Sequence, residues 1–103
     1  MEPATVNGDE LVETLATLAN PHRMRVIGVL AKRRNYVSQL ARELGISRAL
    51  LQVHLRKLEA AGLVDSQLEF SEDGKALKFY EVRDFALTLT PEAIADAVRT
   101  LTK

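Results

Sequence analysis

The stretch Val37–Val64, VSQLARELGISRALLQVHLRKLEAAGLV, constrains the fold more than any other part of this 103-residue chain. In VSQLAREL the apolar residues Val37, Leu40, Ala41 and Leu44 recur at i, i+3, i+4 and i+7, one face of a helix. Gly45 follows where a helix end favours positive φ, and Ile46 is the single apolar residue of the turn. Ser47 can then cap a second helix, its hydroxyl accepting a bond from an orphan backbone N–H. In that helix Leu51, Leu55 and Leu58 form the inward stripe, leaving Arg48, Ala49, Gln52, Val53 and Arg56 outside. Gly62 ends it, and Leu63-Val64 begins an extended segment. Two helices around a Gly corner fit a helix-turn-helix, and equally an ordinary helical hairpin.

Charge distribution adds weight to the first, although a run of charge is also what solvated helix faces show. Formal net charge is zero, which by itself argues against a nucleic-acid partner. From Arg23 to Lys57, however, nine Lys/Arg stand against the single acid Glu43, so this segment is +8 and the remainder −8. A neutral chain with a basic middle can still turn one positive face to phosphates. The basic segment also contains the two-helix motif, whose outward Arg/Gln face suits a DNA major groove.

The flanks read in order as helix, helix, motif, hairpin and helix. Residues 1–8 read as a disordered tail and 9–103 as one domain. Asp9 is expected to cap a first helix, DELVETLATLA. Asn20-Pro21 opens a second, PHRMRVIGVLAKR, expected to be heavily buried, with a close helix crossing compensating for Gly28. Arg33, Arg34 and Asn35 are expected to close it, with cations at its negative end. After Gly62 the period changes to two. Val64, Ser66, Leu68 and Phe70 alternate with polar residues, Asp73-Gly74 marks a hairpin turn, and ALKFYEV returns with Leu77 and Phe79 apolar. A hairpin placed there is a wing, with Lys75 and Lys78 near its tip beside Glu72 and Asp73. Thr90-Pro91-Glu92 starts a last helix, PEAIADAVRTLTK, which either closes the core or pairs with the first helix and its counterpart in a second subunit. The predicted fold is mainly α with a small β-hairpin (α+β), a winged helix-turn-helix.

Three stretches carry a resemblance to the winged-helix repressors of the ArsR type: LANPHRMRVIGVLAKR, VSQLARELGIS and LLQVHLRKLEAAGLVDSQ, the last with His54-Leu55 and Ala61 to Val64. The resemblance implies a homodimer that binds an inverted repeat in double-stranded DNA, usually as a repressor. Many members release DNA on binding a metal, and here this sequence departs. VSQLAREL lacks the Cys pair of metal-sensing relatives, and the last helix offers Asp96 without a His. The expectation is no metal and no cofactor; a small-molecule inducer of another kind stays open.

The expected DNA-binding residues are Ser47, Arg48, Ala49, Gln52, Val53 and Arg56 in the recognition helix 47–61, and Lys75 and Lys78 in the wing 64–82. Arg48, Gln52 and Arg56 lie at i, i+4 and i+8. Arg suits guanine and Gln suits adenine in the major groove. Leu11, Leu15, Leu18, Ile94, Val98 and Leu101 are the expected dimer interface. His54 reads first as a structural histidine and second as a phosphate contact. Enzyme readings fail on inventory, with no Cys, no phosphate loop and no HExxH. The lack of cysteine and of any membrane-length apolar run fits a cytoplasmic protein. The competing reading is a winged-helix protein-interaction module that no longer reads DNA.

Overall fold

The computed structural model describes residues 7–102. Five helices and three strands follow the order α1 (Gly8–Leu18), α2 (Pro21–Leu30), β1 (Asn35–Tyr36), α3 (Val37–Leu44), α4 (Arg48–Ala60), β2 (Val64–Phe70), β3 (Ala76–Val82) and α5 (Pro91–Val98). The strands form an antiparallel sheet in the order β1-β3-β2. This is a winged helix-turn-helix. None of the described helices is long and apolar enough to cross a membrane.

The α3–α4 corner forms as its residues dictate. Gly45 takes φ +66, a left-handed geometry that side chains with a Cβ resist, and its N–H satisfies carbonyls at the end of α3. Ser47 Oγ accepts the Leu50 N–H at 3.1 Å and caps α4. Ile46 packs onto the core from the turn. Leu51, Leu55 and Leu58 are fully buried, together with Val26, Leu30, Leu40, Val64 and Tyr80. These residues come from α2, α3, α4, β2 and β3, so the helix-turn-helix and the base of the wing share one core.

Several expectations give way. Asn7, not Asp9, caps α1, and Gly8 is its first residue, so these two positions leave the expected tail, whose residues 1–6 lie outside the described residues. Of α2 only Val26 and Leu30 are buried; Met24 is exposed, because the helix has one covered side rather than two. A Cβ at Gly28 would meet nothing within 4 Å, so no close crossing explains that glycine. The helix stops at Leu30, and Arg33 to Asn35 lie beyond it. Asn35-Tyr36 forms a third strand against Tyr80 and Phe79, too short to leave a periodic signal. α5 ends at Val98, well before Lys103.

In the hairpin the alternation predicts which side each residue takes, and tertiary structure decides how much of that side is covered. Val64 and Ser66 turn toward the helices, but Leu68 and Phe70, on the same face, are 57% and 72% exposed. The hairpin runs on past the helical layer, which leaves these two side chains uncovered. Tyr80 is 2% exposed and belongs to the core, while Leu77 and Phe79 are half-buried on the other face.

Candidate nucleic-acid interface

α4 presents two opposite faces. Its leucine stripe is anchored in the core, which fixes the rotation of the helix. Arg48, Ala49, Val53 and Arg56 are consequently exposed, and Gln52 is half-buried beside them. Arg56 Nε donates to the Gln52 carbonyl oxygen at 3.4 Å, which lays its side chain along the helix. A cleft of about 220 Å³ separates this face from the wing. Arg48 and Gln52 line one side, Ala76 and Lys78 the other, with Tyr36 and Ser38 between. The structure thus brings Arg48 and Gln52 of the recognition helix and Lys78 of the wing to one groove, while Ser47, Ala49, Val53 and Arg56 lie outside its lining. Lys75 stands apart, exposed in the turn beyond β2, where its backbone N–H bonds Ser71 Oγ.

The orientation of the wing is set from outside the motif. Arg34 forms a two-pronged ion pair with Glu69 of β2 and lies over the Phe79 ring, 4.6 Å from its centroid. Tyr36 meets the same ring edge-on at 5.5 Å. The shared hydrogen bond holds the Glu69 carboxyl below its usual range and raises Arg34 above its own. Arg33 pairs with Glu43 at 3.1 Å, so this part of the basic segment serves structure.

His54 is structural in this chain. It is 6% exposed, and its Nδ1 accepts from Arg23 Nε at 3.2 Å. Arg23 also donates to the Thr17 carbonyl oxygen at 3.2 Å, so one side chain ties the end of α1 to the middle of α4. The His22 ring stands 5.4 Å away. Burial foremost, then the charges of Arg23, His22 and Lys57, lowers the His54 pKa. Its Nε2 is buried without a hydrogen-bond partner. Nothing in the sequence announces this link, because Arg23 and His54 are 31 residues apart. Among the described residues no cluster of three or more His, Cys, Asp or Glu could hold a metal ion.

The expected dimer residues divide. Leu11 is buried within the single chain, and Leu18 packs on the core. Leu15, Ile94, Val98 and Leu101 are exposed, as is Val12 beside them in sequence. All lie on α1 or in and just after α5, two elements that pack on each other. Gly8 N–H donates to Thr100 Oγ1 at 2.6 Å and Thr102 N–H to Asp9 Oδ1 at 3.1 Å.

Residues 18–67 match the model of a helix-turn-helix domain family. An uncharacterized helix-turn-helix-type transcriptional regulator of Methanocaldococcus jannaschii is 35% identical over 85 residues, covering 82% of this chain and 88% of its own. The homodimeric winged helix-turn-helix domain of a possible ArsR-family regulator of Mycobacterium bovis superposes with a TM-score of 0.63 to 0.64 and 22% identity. In its solution structure the match covers 88% of this chain and 70% of that one. The transcriptional repressor BigR of Xylella fastidiosa gives 0.63 and 21%, covering 88% and 82%.

This chain belongs to the helix-turn-helix-type transcriptional regulators.

Within that family α3 is the positioning helix, α4 the recognition helix and β2–β3 the wing. The family is one of transcription regulators.

Proposed function

We propose that this regulator is a sequence-specific repressor that binds an inverted repeat of double-stranded DNA as a homodimer in the cytoplasm. One observation carries the reading: Arg48, Gln52 and Arg56 share the outward face of a helix whose other face is locked into the core, and Arg48 and Gln52 stand across a cleft from Lys78. Arg48 and Gln52 read bases near the start of α4. Arg56, Lys75 and Lys78 meet phosphates, and Ser47, while capping the helix, adds a phosphate bond. Ala49 and Val53 offer apolar contact to thymine methyls. Val12, Leu15, Ile94, Val98 and Leu101 form the surface on which a second copy docks. The recognition helices of the dimer then enter successive major grooves about 34 Å apart.

The test is fluorescence anisotropy with DNA from upstream of the protein's own gene and a scrambled control, at two salt concentrations. Tighter binding to the upstream DNA that weakens as salt rises supports the reading. Gln52→Ala and Arg48→Ala should change which sequences bind, whereas Lys75→Ala should weaken all alike. A folded dimer that binds neither DNA would refute the proposal in favour of an interaction module.

A further inference from the structure

Two parts of the chain carry the two halves of the proposed function, and they share little packing. α1 and the residues after α5 hold each other through the Gly8–Thr100 and Thr102–Asp9 bonds, and carry the surface proposed for a second copy. Among the described residues, the core beneath the helix-turn-helix takes Leu18 from α1 and nothing from α5. A polar link stands at the same junction. Arg23, in the first turn of α2, donates from Nη1 to the Thr17 carbonyl oxygen and from Nε to His54 Nδ1, both at 3.2 Å. Thr17 is in the last turn of α1, where carbonyl oxygens lack a partner within the helix. One guanidinium thus closes the end of α1 and fastens it to the inner side of the recognition helix. His54 is the weak member of this link. Because Nδ1 accepts from Arg23, the ring proton is on Nε2, which is buried with no acceptor. A buried histidine kept for packing normally has both nitrogens engaged. The groups that act on its charge are Arg23 and His22 of α2 and Lys57 of its own helix, and none of these is an acid. From α1 the approach is the neutral Thr17 carbonyl, through Arg23. A proton reaching this ring is therefore not shared with a carboxylate; its place is the Nδ1 lone pair that holds Arg23.

We propose that Thr17, Arg23 and His54 form a proton-operated latch that ties α1 to the recognition helix and opens in acid. Its regulatory consequence rests on the homodimer and DNA reading above: opening the latch releases the regulator from DNA. The step is a single proton transfer. A solvent proton adds to Nδ1, the hydrogen bond from Arg23 Nε breaks, and no bond between heavy atoms changes. Nδ1 then carries a donor aimed at the Arg23 donors, and two cations stand where one stood. Arg23 turns to water and takes its Thr17 bond with it, which leaves α1 resting on the core through Leu18. α1 and α5 can shift as a pair, since the bonds between them do not involve Arg23. A dimer joined through that pair no longer holds its two recognition helices at the spacing of successive major grooves. The sign of the effect separates the latch from plain electrostatics. An added positive charge strengthens binding to phosphates, whereas an open latch weakens it.

The full chain and its His54→Asn, Arg23→Met and His22→Gln variants would be followed from about pH 7.5 to about pH 5. Hydrogen exchange, corrected for the intrinsic effect of pH, reads α1 and α4 separately; sedimentation equilibrium reads the dimer and fluorescence anisotropy the DNA. In the wild type α1 should lose protection as pH falls while α4 keeps it. DNA affinity should fall by up to about tenfold per pH unit, the slope of one proton. His54→Asn, whose amide oxygen can stand in for Nδ1, should keep α1 closed and the affinity level. Arg23→Met should leave α1 open at every pH, and His22→Gln should respond as the wild type does. NMR of the wild-type imidazoles gives a check that needs no variant: α1 should open as the His54 signal titrates. An α1 that stays protected through that titration would overturn the latch. So would an α4 that loses protection together with α1, which is global unfolding, or a His22→Gln chain that no longer responds, which would move the sensor to His22. Equal loss of affinity in His54→Asn and the wild type would overturn it as well. A wild type whose α1 opens in this way but which is monomeric, or binds no DNA, at every pH would overturn the homodimer and DNA reading and leave the latch standing.

Discussion

Gly8→Ala offers the sharpest test of how α1 and α5 serve the dimer. Gly8 is buried at the first position of α1, where α5 and the residues after it come closest. A Cβ there would stand 2.1 Å from the Ala97 carbonyl oxygen and 3.0 Å from Leu101 Cγ and Cδ2. Leu101 can turn away, but Ala97 O is backbone, so the end of α5 must shift. Overpacking of this kind costs about 1–3 kcal/mol. The gain in helix propensity returns at most about 1 kcal/mol. Because the nearest clash is with backbone, the upper end applies, leaving a net cost of about 2 kcal/mol per chain. If the dimer forms on Val12, Leu15, Ile94, Val98 and Leu101, both chains lose it, which makes about 4 kcal/mol, or about a thousandfold in the dimer dissociation constant. The core cluster draws on no residue of α5, so the helix-turn-helix should stay folded. Sedimentation equilibrium measures the first effect and circular dichroism the second. Gly28→Ala, whose Cβ would meet nothing within 4 Å, is the control and should leave the dimer intact. A Gly8→Ala chain that dimerises like the wild type would refute the assignment of this face.

Leu55→Ala removes a side chain that is fully buried at the centre of the core, and should cost about 2–5 kcal/mol in a urea titration. A loss below about 1 kcal/mol would mean that the core collapses onto the site. His54 should make stability fall with acid. Burial, then Arg23, His22 and Lys57, depress its folded pKa below the ordinary 6.5, so the unfolded chain takes up the proton first. Its contribution is complete above about pH 6.5 and lost as pH falls through the folded value. Urea midpoints between about pH 7.5 and 5 should drop in the wild type and drop less in His54→Asn; identical slopes would sink the argument.

The helix-turn-helix was legible in the sequence because each of its decisions is local. Leucines at helical spacing choose their face, Gly45 alone tolerates the φ of the corner, and Ser47 supplies the acceptor that α4 needs at its start. The outward row of Arg48, Gln52 and Arg56 follows from the buried row of Leu51, Leu55 and Leu58, since one helix cannot hide both. The Asp73-Gly74 turn and the caps at Asn20 and Thr90 are local in the same sense. What the sequence left open depends on where distant elements end. α2 is less buried than its composition suggests, because only one of its sides is covered, and the same apolar residues would suit a helix covered on two. Leu68 and Phe70 have the alternation of a half-buried strand, but the helical layer stops short of them, and only the assembled fold shows that they overhang. The Arg23–His54 bond, the Arg34–Glu69 brace and the two-residue strand at Asn35-Tyr36 join positions with no sequence relation. Local chemistry therefore fixed the helix-turn-helix and the outward face of α4. Packing across the chain decided which apolar residues stay in water, and so which surfaces remain uncovered.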